Sequence, residues 1–478
     1  MSSLKFGTSG LRGLAEDMKP EVCARYVHAF LHHIDAAGPA SPAAPVLVGR
    51  DLRESSPAIA TACVAAIVAA GRDAVDCGAL PTPALALEAM RRGAPAIMVT
   101  GSHIPADRNG LKFYRPDGEI DKADEAGILA RFARPGDGPA TPRRGVVRED
   151  PGALDSYRRR YTRLDRAFAL DGMRVGIYQH SSVARDLLAE VLAALGAEVV
   201  PLGRSAHFVP VDTEALTRQD IEQARDWAAR SHLDAIVSTD GDADRPLIAD
   251  ERGAFLRGDA VGILTAAFLG AGTVVTPVTS STAVEASELF GAVIRTRVGS
   301  PYVIAAMAGE AAPDAGVVVG FEANGGVLLG SDVRRDGLDL AALPTRDSLL
   351  PILSVLASAR RGGAKLSQLV GSLPPRFTLS DRLENVAAAA SAAFLAGLSG
   401  KPAADAFLGK RGSTAAIDRT DGVRLALASG DTLHFRASGN APELRCYAES
   451  ATPEGARRLL EWGLAAAAAA LAGRPRTQ

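Results

Sequence analysis

Short apolar runs alternate along this chain with alanine-rich segments of helical length. Residues 46–50 (VLVGR) and 95–100 (PAIMVT) predict buried strands, and residues 57–70 predict a helix that Gly71 ends. Because strand, helix and strand follow one another, we expect a parallel-rich sheet with helices packed against it.

The same alternation recurs twice further along the chain. A second round predicts strands at residues 173–179 and 235–239, and a third predicts them at residues 273–278 and 316–321. In each round a strand runs directly into a polar, glycine-containing loop: PAIMVT into GSHIP, AIVST into DGDADR, and GVVVG into FEANGG. Ligand sites of open α/β sheets lie at the carboxyl ends of strands, so these loops are candidate site loops. Buried strands also end in ordinary turns, but the polar content of all three loops favours a site.

The carboxyl-terminal part of the chain follows a different pattern. Residues 423–427 and 433–435 flank a Ser-Gly-Asp turn and predict a hairpin, followed by a strand at 443–448 and a helix from Pro453. The sequence therefore predicts an α/β fold, with three similar mixed α/β domains and a smaller carboxyl-terminal α+β domain. The predicted domains are residues 1–149, 150–252, 253–372 and 373–478. The basic segment 134–148 is predicted to be a surface loop.

Composition narrows the class of protein. The 478 residues are 47% hydrophobic and 23% charged, and the net charge of -2 lacks the basic excess of nucleic-acid or anionic-membrane binders. The four cysteines show no CxxC spacing, and even an apolar stretch as long as residues 464–472 is too short to span a bilayer. The amino end has no signal-peptide core. We expect a cytoplasmic multi-domain protein, monomeric or dimeric, with neither nucleic acid nor membrane as a partner.

The first loop carries a candidate nucleophile. Ser102 follows Gly101 at a predicted strand end, His103 is adjacent, and Lys112 lies ten residues further along. A serine needs a base or a metal ion to become nucleophilic, and Lys112 could act as a base or a phosphate ligand. Taken alone, this segment is weak evidence for a nucleophile and favours a plain loop serine.

The second loop carries carboxylates at alternating positions. Asp240, Asp242 and Asp244 supply the hard oxygen ligands that suit a divalent cation such as Mg²⁺. An EF-hand is the competing interpretation, but Arg245 replaces its required glycine and the preceding segment predicts a strand. A solvated acidic turn is the other alternative, which the apolar flanks and regular spacing disfavour.

Three weaker motifs complete the set. Glu322 and Asn324 offer a carboxylate and an amide suited to sugar hydroxyls, although GFEANGG is equally consistent with a structural turn. The segment RASGNAP contains the guanidinium of Arg436, the hydroxyl of Ser438 and backbone N–H groups next to a glycine, which together suit a phosphate. An ordinary turn at the end of the hairpin is the alternative. FGTSGLRG, with Arg12, is a glycine-spaced loop that lacks the GK[ST] of a Walker loop.

Taken in order, these segments closely resemble the signature regions of the α-D-phosphohexomutases, the phosphomannomutase and phosphoglucomutase group. The matching segments are FGTSGLRG, TGSHIPADRNGLKFY, DGDADR, GFEANGG and RASGNAPELRCY, which run from residue 6 to residue 447. The resemblance implies four domains around a central cleft and a small sugar-phosphate substrate. It implies interconversion of mannose 6-phosphate and mannose 1-phosphate through a phosphoserine and a hexose 1,6-bisphosphate intermediate and activator. Phosphoglucomutase, or dual specificity, is the alternative.

The resemblance also implies roles by matched position. Ser102 matches the phosphorylated serine, and one of its phosphate oxygens is implied as an Mg²⁺ ligand beside Asp240, Asp242 and Asp244. The residues matched to phosphoryl transfer are His103, Lys112, Arg12 and Arg245. The residues matched to the sugar and to the non-reacting phosphate are Glu322, Asn324, Arg436, Ser438, Gly439 and Asn440.

Some positions depart from the common pattern of the family. Asn324 stands where many relatives have serine, Ser300 where relatives often have histidine or aspartate, and SGNAPE where SGTEPK is common. All three lie where the substrate is chosen, so they bear on sugar preference rather than on phosphoryl chemistry.

The motifs disfavour two other classes of protein. A non-enzymatic sensor would have lost Ser102 or an aspartate, and a phosphatase-like hydrolase would carry DxDx[TV], which DGDADR lacks.

Overall fold

The computed structural model describes residues 3–7, 10–38, 44–134, 144–310, 316–439 and 441–473. The chain forms two compact units, residues 1–274 with 299–370, and residues 275–298 with 371–478. Among the described residues, no helix combines the length and the apolar character that a bilayer crossing demands.

The amino-terminal part of the first unit is a mixed sheet with helices packed against it. Its strands are β1 (Lys5–Phe6), β2 (Leu11–Leu14), β3 (Val46–Arg50), β4 (Ala74–Ala79), β5 (Ala96–Val99), β6 (Arg108–Arg115), β7 (Gly118–Glu119) and β8 (Val147–Glu149). Its helices are α1 (Pro20–Ala37), α2 (Ser56–Ala69), α3 (Thr82–Arg92) and α4 (Lys122–Phe132). The strand order is β1-β2-β6-β5-β3-β4-β8, with β7 beside β6. The pairs β5-β3, β3-β4 and β4-β8 are parallel, and the remaining pairs are antiparallel.

Strand β8 corrects one expectation. The sequence predicts a surface loop over residues 134–148, but Val147 and Arg148 belong to β8, which pairs in parallel with β4. All three residues of this strand are exposed, so the segment carries no burial pattern that would reveal it. Residues 135–143 of the predicted loop lie outside the described part of the chain.

The next part of the first unit repeats the architecture on a smaller scale. Its elements are α5 (Gly152–Thr162), β9 (Arg174–Tyr178), α6 (Arg185–Ala194), β10 (Glu198–Leu202), α7 (Arg218–Ser231), β11 (Ala235–Thr239) and β12 (Pro246–Ala249). The strand order is β10-β9-β11-β12, in which β10, β9 and β11 are parallel and β12 is antiparallel to β11. All five residues of β11 are buried, which is why the sequence there reads as a continuous apolar run.

The chain then continues through α8 and enters the second unit within strand β13. The elements of this region are α8 (Gly258–Leu269), β13 (Ala271–Pro277), α9 (Ala283–Ala286), β14 (Ala292–Thr296), α10 (Ser300–Glu310), β15 (Val317–Phe321), β16 (Val327–Leu329), β17 (Val333–Arg335), β18 (Leu338–Leu340), β19 (Leu343–Asp347), α11 (Leu349–Gly362) and α12 (Leu366–Gly371). In the first unit, β15 pairs antiparallel with β16 and β16 with β19, while β17 and β18 form a hairpin.

The second unit is built on an antiparallel sheet. Its remaining elements are β20 (Phe377–Leu383), α13 (Ala388–Gly397), α14 (Lys401–Leu408), β21 (Thr414–Asp418), β22 (Val423–Leu427), β23 (Thr432–Ala437), β24 (Leu444–Ser450) and α15 (Pro453–Leu471). The strand order is β20-β24-β23-β22-β21. The predicted hairpin is confirmed, with Val423 opposite Phe435. The α/β fold with mixed sheets and a carboxyl-terminal α+β part is thus confirmed, and the four domain boundaries stay a prediction.

Candidate active site

Ser102 lies in the loop that follows strand β5. Its backbone is left-handed, with φ of 57°. This conformation is energetically unfavourable for any residue other than glycine, and residues that adopt it are often found at functional sites. Its N–H donates to Thr100 Oγ1 over 2.8 Å. The residue is 1% exposed, and its hydroxyl donates to Asp240 Oδ2 over 2.6 Å. The serine loop and the aspartate loop therefore meet at this hydroxyl.

His103 borders the same hydroxyl, with Nδ1 3.1 Å from Ser102 Oγ. Because Oγ gives its one hydrogen to Asp240, we assign a proton to Nδ1, which donates to Oγ. Burial, together with the positive charges of Arg245 and Arg12, lowers the pKa of His103 to about 2. The imidazole is therefore neutral at physiological pH.

Arg53 stabilises the serine loop, residues 100–108, through its guanidinium. Its guanidinium donates over 2.7–2.9 Å to the backbone carbonyls of Ser102, Ile104, Pro105 and Arg108. It also donates to Asp51 Oδ2 over 3.1 Å and stacks on the ring of Phe208 with 4.0 Å to the centroid. A Cβ at Gly101 would lie 2.6 Å from Arg53 Cζ, so glycine is required where the loop passes over this guanidinium.

Three aspartates form the loop between β11 and β12. One carboxylate oxygen from each of Asp240, Asp242 and Asp244 lies within 4.8 Å of the others, and all three residues are buried. Ala243 has a left-handed φ of 57°, which closes the loop tightly. Burial and the two neighbouring carboxylates raise the pKa of Asp240 well above its usual value. The loop therefore concentrates negative charge that a cation would stabilise.

The donor set fits Mg²⁺. The Oδ1 atoms of Asp242 and Asp244 are buried and accept no hydrogen bond from any described residue. Buried carboxylate oxygens without a donor are costly, and hard oxygen ligands are what Mg²⁺ prefers. The three aspartates that alternate in the sequence therefore form a cluster in which two carboxylate oxygens remain available to bind a metal ion.

Lys112 enters the cluster from strand β6. Strand β2 places Arg12 opposite Gly110 of β6, and Lys112 projects from the same face two residues along. Its Nζ donates to Asp242 Oδ2 and Asp244 Oδ2, each over 2.6 Å. Burial alone would lower the pKa of Lys112, but the two carboxylates outweigh burial and raise it. The ammonium is therefore charged and neutralises part of the aspartate loop.

Arg245 ends the aspartate motif with unused donors. Its Nε and Nη1 are buried and have no hydrogen-bond partner within the described ranges. Glu214 Oε2 lies 3.8 Å from Nη1. Burial opposes the charge of Arg245, but the attraction to Glu214 and Asp244 raises its pKa. Burial and repulsion from Arg245 lower the pKa of Arg12 to about 10, which leaves Arg12 charged at neutral pH. Arg12 and Arg245 therefore repel each other, and an anion bound between their guanidinium groups would relieve this repulsion.

The sugar-loop candidates lie at the end of β15. Glu322 N–H donates to Gly326 O over 3.1 Å, and Asn324 Oδ1 accepts from Gly326 N over 2.9 Å, so the loop closes on itself. Arg346 of β19 connects this loop to the aspartates. Its Nη1 donates to Glu322 Oε2 over 3.0 Å, and its Nη2 donates to Asp244 Oδ2 over 2.8 Å.

Ser300, which departs from the family pattern, is fully buried at the start of α10. Its hydroxyl donates to Glu119 Oε2 over 2.9 Å, and Thr345 Oγ1 donates to Oε1 of the same carboxylate over 2.7 Å. A serine hydroxyl at this position therefore serves an internal hydrogen bond.

The first unit thus brings together most of the predicted site residues: Arg12, Ser102, His103, Lys112, Asp240, Asp242, Asp244, Arg245, Glu322 and Asn324. Arg436, Ser438 and Gly439 belong to the second unit, on and after β23. Arg436 Nε is buried without a hydrogen-bond partner among the described residues and lies 3.7 Å from Asp421 Oδ2. Asn440 lies outside the described residues.

Sequence reasoning missed Arg53 and Arg346. Arg53 follows strand β3 in VLVGR-DLRESS, which is another apolar run that ends in a polar loop. Arg346 lies near the carboxyl end of β19. The strand-end rule that finds the other loops would have found both segments, but no local pattern indicates the partners of either guanidinium.

Known proteins resemble this chain in both sequence and fold. Family models described as phosphoglucomutase/phosphomannomutase alpha/beta/alpha domains I, II and III match residues 3–137, 156–253 and 257–377. A phosphomannomutase of Sinorhizobium fredii is 49% identical over 466 residues, covering 96% of this chain and 98% of the relative. A phosphomannomutase of Salmonella muenchen is 45% identical, covering 96% of this chain and 95% of the relative. A crystal structure of a phosphoglucomutase/phosphomannomutase family protein from Burkholderia thailandensis shares the fold, with a TM-score of 0.77 at 21% identity and 97% coverage of both chains.

Proposed function

The chain belongs to the phosphoglucomutase/phosphomannomutase family, and on that premise we propose that it interconverts mannose 6-phosphate and mannose 1-phosphate. The observation that carries the proposal is the contact of Ser102 Oγ with Asp240 and His103, beside charged Lys112. This arrangement supports a buried serine that accepts and donates a phosphoryl group. The names of the relatives at 45–49% identity favour mannose phosphate as substrate.

In the proposed cycle, Ser102 carries a phosphoryl group before substrate binds. A sugar hydroxyl attacks this phosphorus, so that the bond from phosphorus to Ser102 Oγ breaks and a bond to the sugar oxygen forms. The proton of the sugar hydroxyl leaves as the new bond forms and Ser102 Oγ takes up a proton, and we assign this proton transfer to His103 and Lys112, the residues matched to it. The product is hexose 1,6-bisphosphate, which turns over and returns its other phosphoryl group to Ser102. The same bisphosphate in solution would recharge a dephosphorylated serine and act as activator.

The cations of the site have distinct tasks in this cycle. Arg12 and Arg245 stabilise negative charge on the transferring phosphoryl group, and the unused N–H groups of Arg245 are available for its oxygens. For Lys112 Nζ to donate to the phosphoryl group or to the leaving oxygen, it must give up its hydrogen bond to at least one of the two carboxylates. Mg²⁺ would be held by Asp240, Asp242, Asp244 and an oxygen of phosphorylated Ser102, where it supplies charge neutralisation.

Substrate binding is assigned to the remaining motifs. Glu322 and Asn324 bind sugar hydroxyls, and the loop of Arg436, Ser438, Gly439 and Asn440 binds the non-reacting phosphate. Because the bisphosphate must bind in two orientations, the sugar site has to accept the ring either way round. We therefore expect mannose phosphate to be preferred and glucose phosphate to be turned over at a measurable fraction of that rate. A cytoplasmic monomer or dimer remains the expected state.

The test is a steady-state assay of the purified protein with mannose 1-phosphate and glucose 1-phosphate, each with its 1,6-bisphosphate. Higher kcat/KM for mannose 1-phosphate supports the proposal. Higher kcat/KM for glucose 1-phosphate would replace it with phosphoglucomutase, and equal values would establish dual specificity. Turnover of neither phosphate would contradict the proposal as a whole.

A further inference from the structure

Arg346 connects the proposed sugar loop to the aspartate loop through one buried guanidinium. The residue is 3% exposed. Its Nε and Nη2 donate to Asp244 Oδ2 over 3.1 and 2.8 Å, and its Nη1 donates to Glu322 Oε2 over 3.0 Å. The side chain therefore spans two carboxylates that have different tasks in the proposed function.

The contact restricts what Glu322 offers to a ligand. The glutamate is 5% exposed, so a ligand approaches it from few directions. Oε2 is bound to Arg346, so the carboxylate is held at one of its two oxygens. Glu322 therefore has Oε1, the oxygen that Arg346 does not bind, to offer to a sugar hydroxyl.

Arg346 also supports the loop backbone. A Cβ at Gly326 would lie 2.6 Å from Arg346 Cδ, so the aliphatic part of the arginine packs directly against this glycine. Gly326 N–H in turn donates to Asn324 Oδ1 over 2.9 Å. This leaves the amide N–H groups of Asn324 as the donors for a hydroxyl. The arginine therefore contacts the loop at Glu322 and at the glycine that orients Asn324.

We infer that Arg346 is a positioning residue that sets the preference between mannose and glucose phosphates by holding Glu322 and the loop behind Asn324. The inference rests on the proposed function, in which these two side chains contact the sugar. The two sugars differ in the direction of one hydroxyl at carbon 2. A carboxylate held in one orientation pairs better with one of these hydroxyls than with the other, which gives a preference while the less favoured sugar is still turned over. A carboxylate that is free to rotate pairs with either.

Arg346→Lys tests the inference because lysine keeps the charge but has no planar fork to span both carboxylates. The measurement is kcat/KM for mannose 1-phosphate and for glucose 1-phosphate, and the readout is their ratio. We expect the ratio to move toward one by about tenfold, because relaxed discrimination affects the two substrates differently. If Arg346 only neutralises Asp244, both substrates lose activity by the same factor and the ratio stays constant, which would overturn the inference.

A matched control and a second variant complete the experiment. Arg160→Lys changes another buried arginine, whose Nη2 donates to Ala341 O and which lies outside the proposed site, and it should leave the ratio unchanged. Gly326→Ala adds a Cβ 2.6 Å from Arg346 Cδ and 3.0 Å from Asn324 Oδ1, so it disturbs the contact between the arginine and the loop while keeping the charge of Arg346, and it should shift the ratio in the same direction as Arg346→Lys. A ratio that Gly326→Ala leaves unchanged would count against the inference even if Arg346→Lys does not fold.

Binding separates failure of this inference from failure of the proposed function. Calorimetric titration of the natural protein and both variants with each sugar phosphate gives a ratio of dissociation constants without turnover. A natural protein that discriminates in binding but has no mutase activity would contradict the proposed function alone. A binding ratio identical in the natural protein and in both variants would contradict the role of Arg346.

Discussion

Ser102 Oγ and Asp240 Oδ2 lie 2.6 Å apart although 138 positions separate them in the sequence. The contact joins the loop after β5 to the loop after β11, so the proposed nucleophile and the proposed metal ligands occupy one site. A phosphoryl group on Ser102 would place its oxygens beside the carboxylates, where a divalent cation is needed to offset like charge.

Removing the hydroxyl of Ser102 should abolish turnover. Ser102→Ala is expected to lower kcat by several orders of magnitude and to keep the fold, because the lost group is small and the loop is held by Arg53. Mass spectrometry of the natural protein incubated with hexose 1,6-bisphosphate should find one phosphoryl group on the peptide containing Ser102. Ser358→Ala, which removes a hydroxyl from helix α11, serves as the control. Near-normal activity of Ser102→Ala would exclude the phosphoserine mechanism.

The aspartate loop should bind Mg²⁺ and gain stability from it. We expect Mg²⁺ to raise the melting temperature of the natural protein, because a ligand that binds only the folded state stabilises it by mass action, by about 2.7 kcal/mol at a hundred times its Kd. Asp242→Asn should weaken this effect and reduce activity sharply. Asp226→Asn, at an exposed position on α7, is the control. Full activity of the natural protein in excess chelator would contradict the assignment.

Arg53 should be essential to the fold of the serine loop. Arg53→Met leaves Asp51 without its cation and four loop carbonyls without their donor, and losing one partner of a buried ion pair costs about 3–5 kcal/mol. Urea denaturation should show this loss, and kcat should fall because Ser102 is no longer held. Arg25→Met is the matched control, since Arg25 also stacks on a phenylalanine but is exposed. Equal losses in the two variants would show that Arg53 has no special role.

Arg436 should contribute to phosphate binding. Its Nε is buried without a hydrogen-bond partner among the described residues, and charged hydrogen bonds contribute about 1.5–3 kcal/mol. Arg436→Ala should therefore raise KM by about ten- to a hundredfold, because ground-state and transition-state binding are lost alike. Arg382→Ala, which changes an exposed arginine of β20, is the control. An unchanged KM for Arg436→Ala would place the phosphate elsewhere.

Two buried histidines should make stability fall in mild acid. Burial lowers the pKa of His180 and of His434 to about 4, below the ordinary value of about 6.5. Between these pH values the unfolded chain binds protons that the folded chain does not, so the free energy of unfolding decreases as pH falls from about 6.5 to about 4. Each histidine contributes about 3 kcal/mol over this range. His434→Gln and His180→Gln should each reduce the slope of unfolding free energy against pH, and the double variant should reduce it most. Identical slopes in all four proteins would contradict this account.

The features that the sequence determines by itself are local ones. Apolar runs that end in polar loops predict the sheets and locate Ser102 and the three aspartates, because strand periodicity and loop chemistry are properties of consecutive residues. The α/β class and the hairpin at Val423–Leu427 follow from the same local rules. Strand β8 was not predictable, because an exposed strand of three residues depends on its neighbour β4 rather than on its own pattern.

Only the tertiary structure decides which distant side chains share a buried charge. Arg53 holds the serine loop, and Arg346 joins Asp244 to Glu322, yet neither arginine lies in a motif that indicates its partners. A buried guanidinium is tolerated only where carboxylates and carbonyls arrive from other segments to pair with it. The sequence thus determines which loops carry the chemistry, and the packing of the sheets determines how those loops are held together, because the partners of a buried charge come from parts of the chain that meet only on folding.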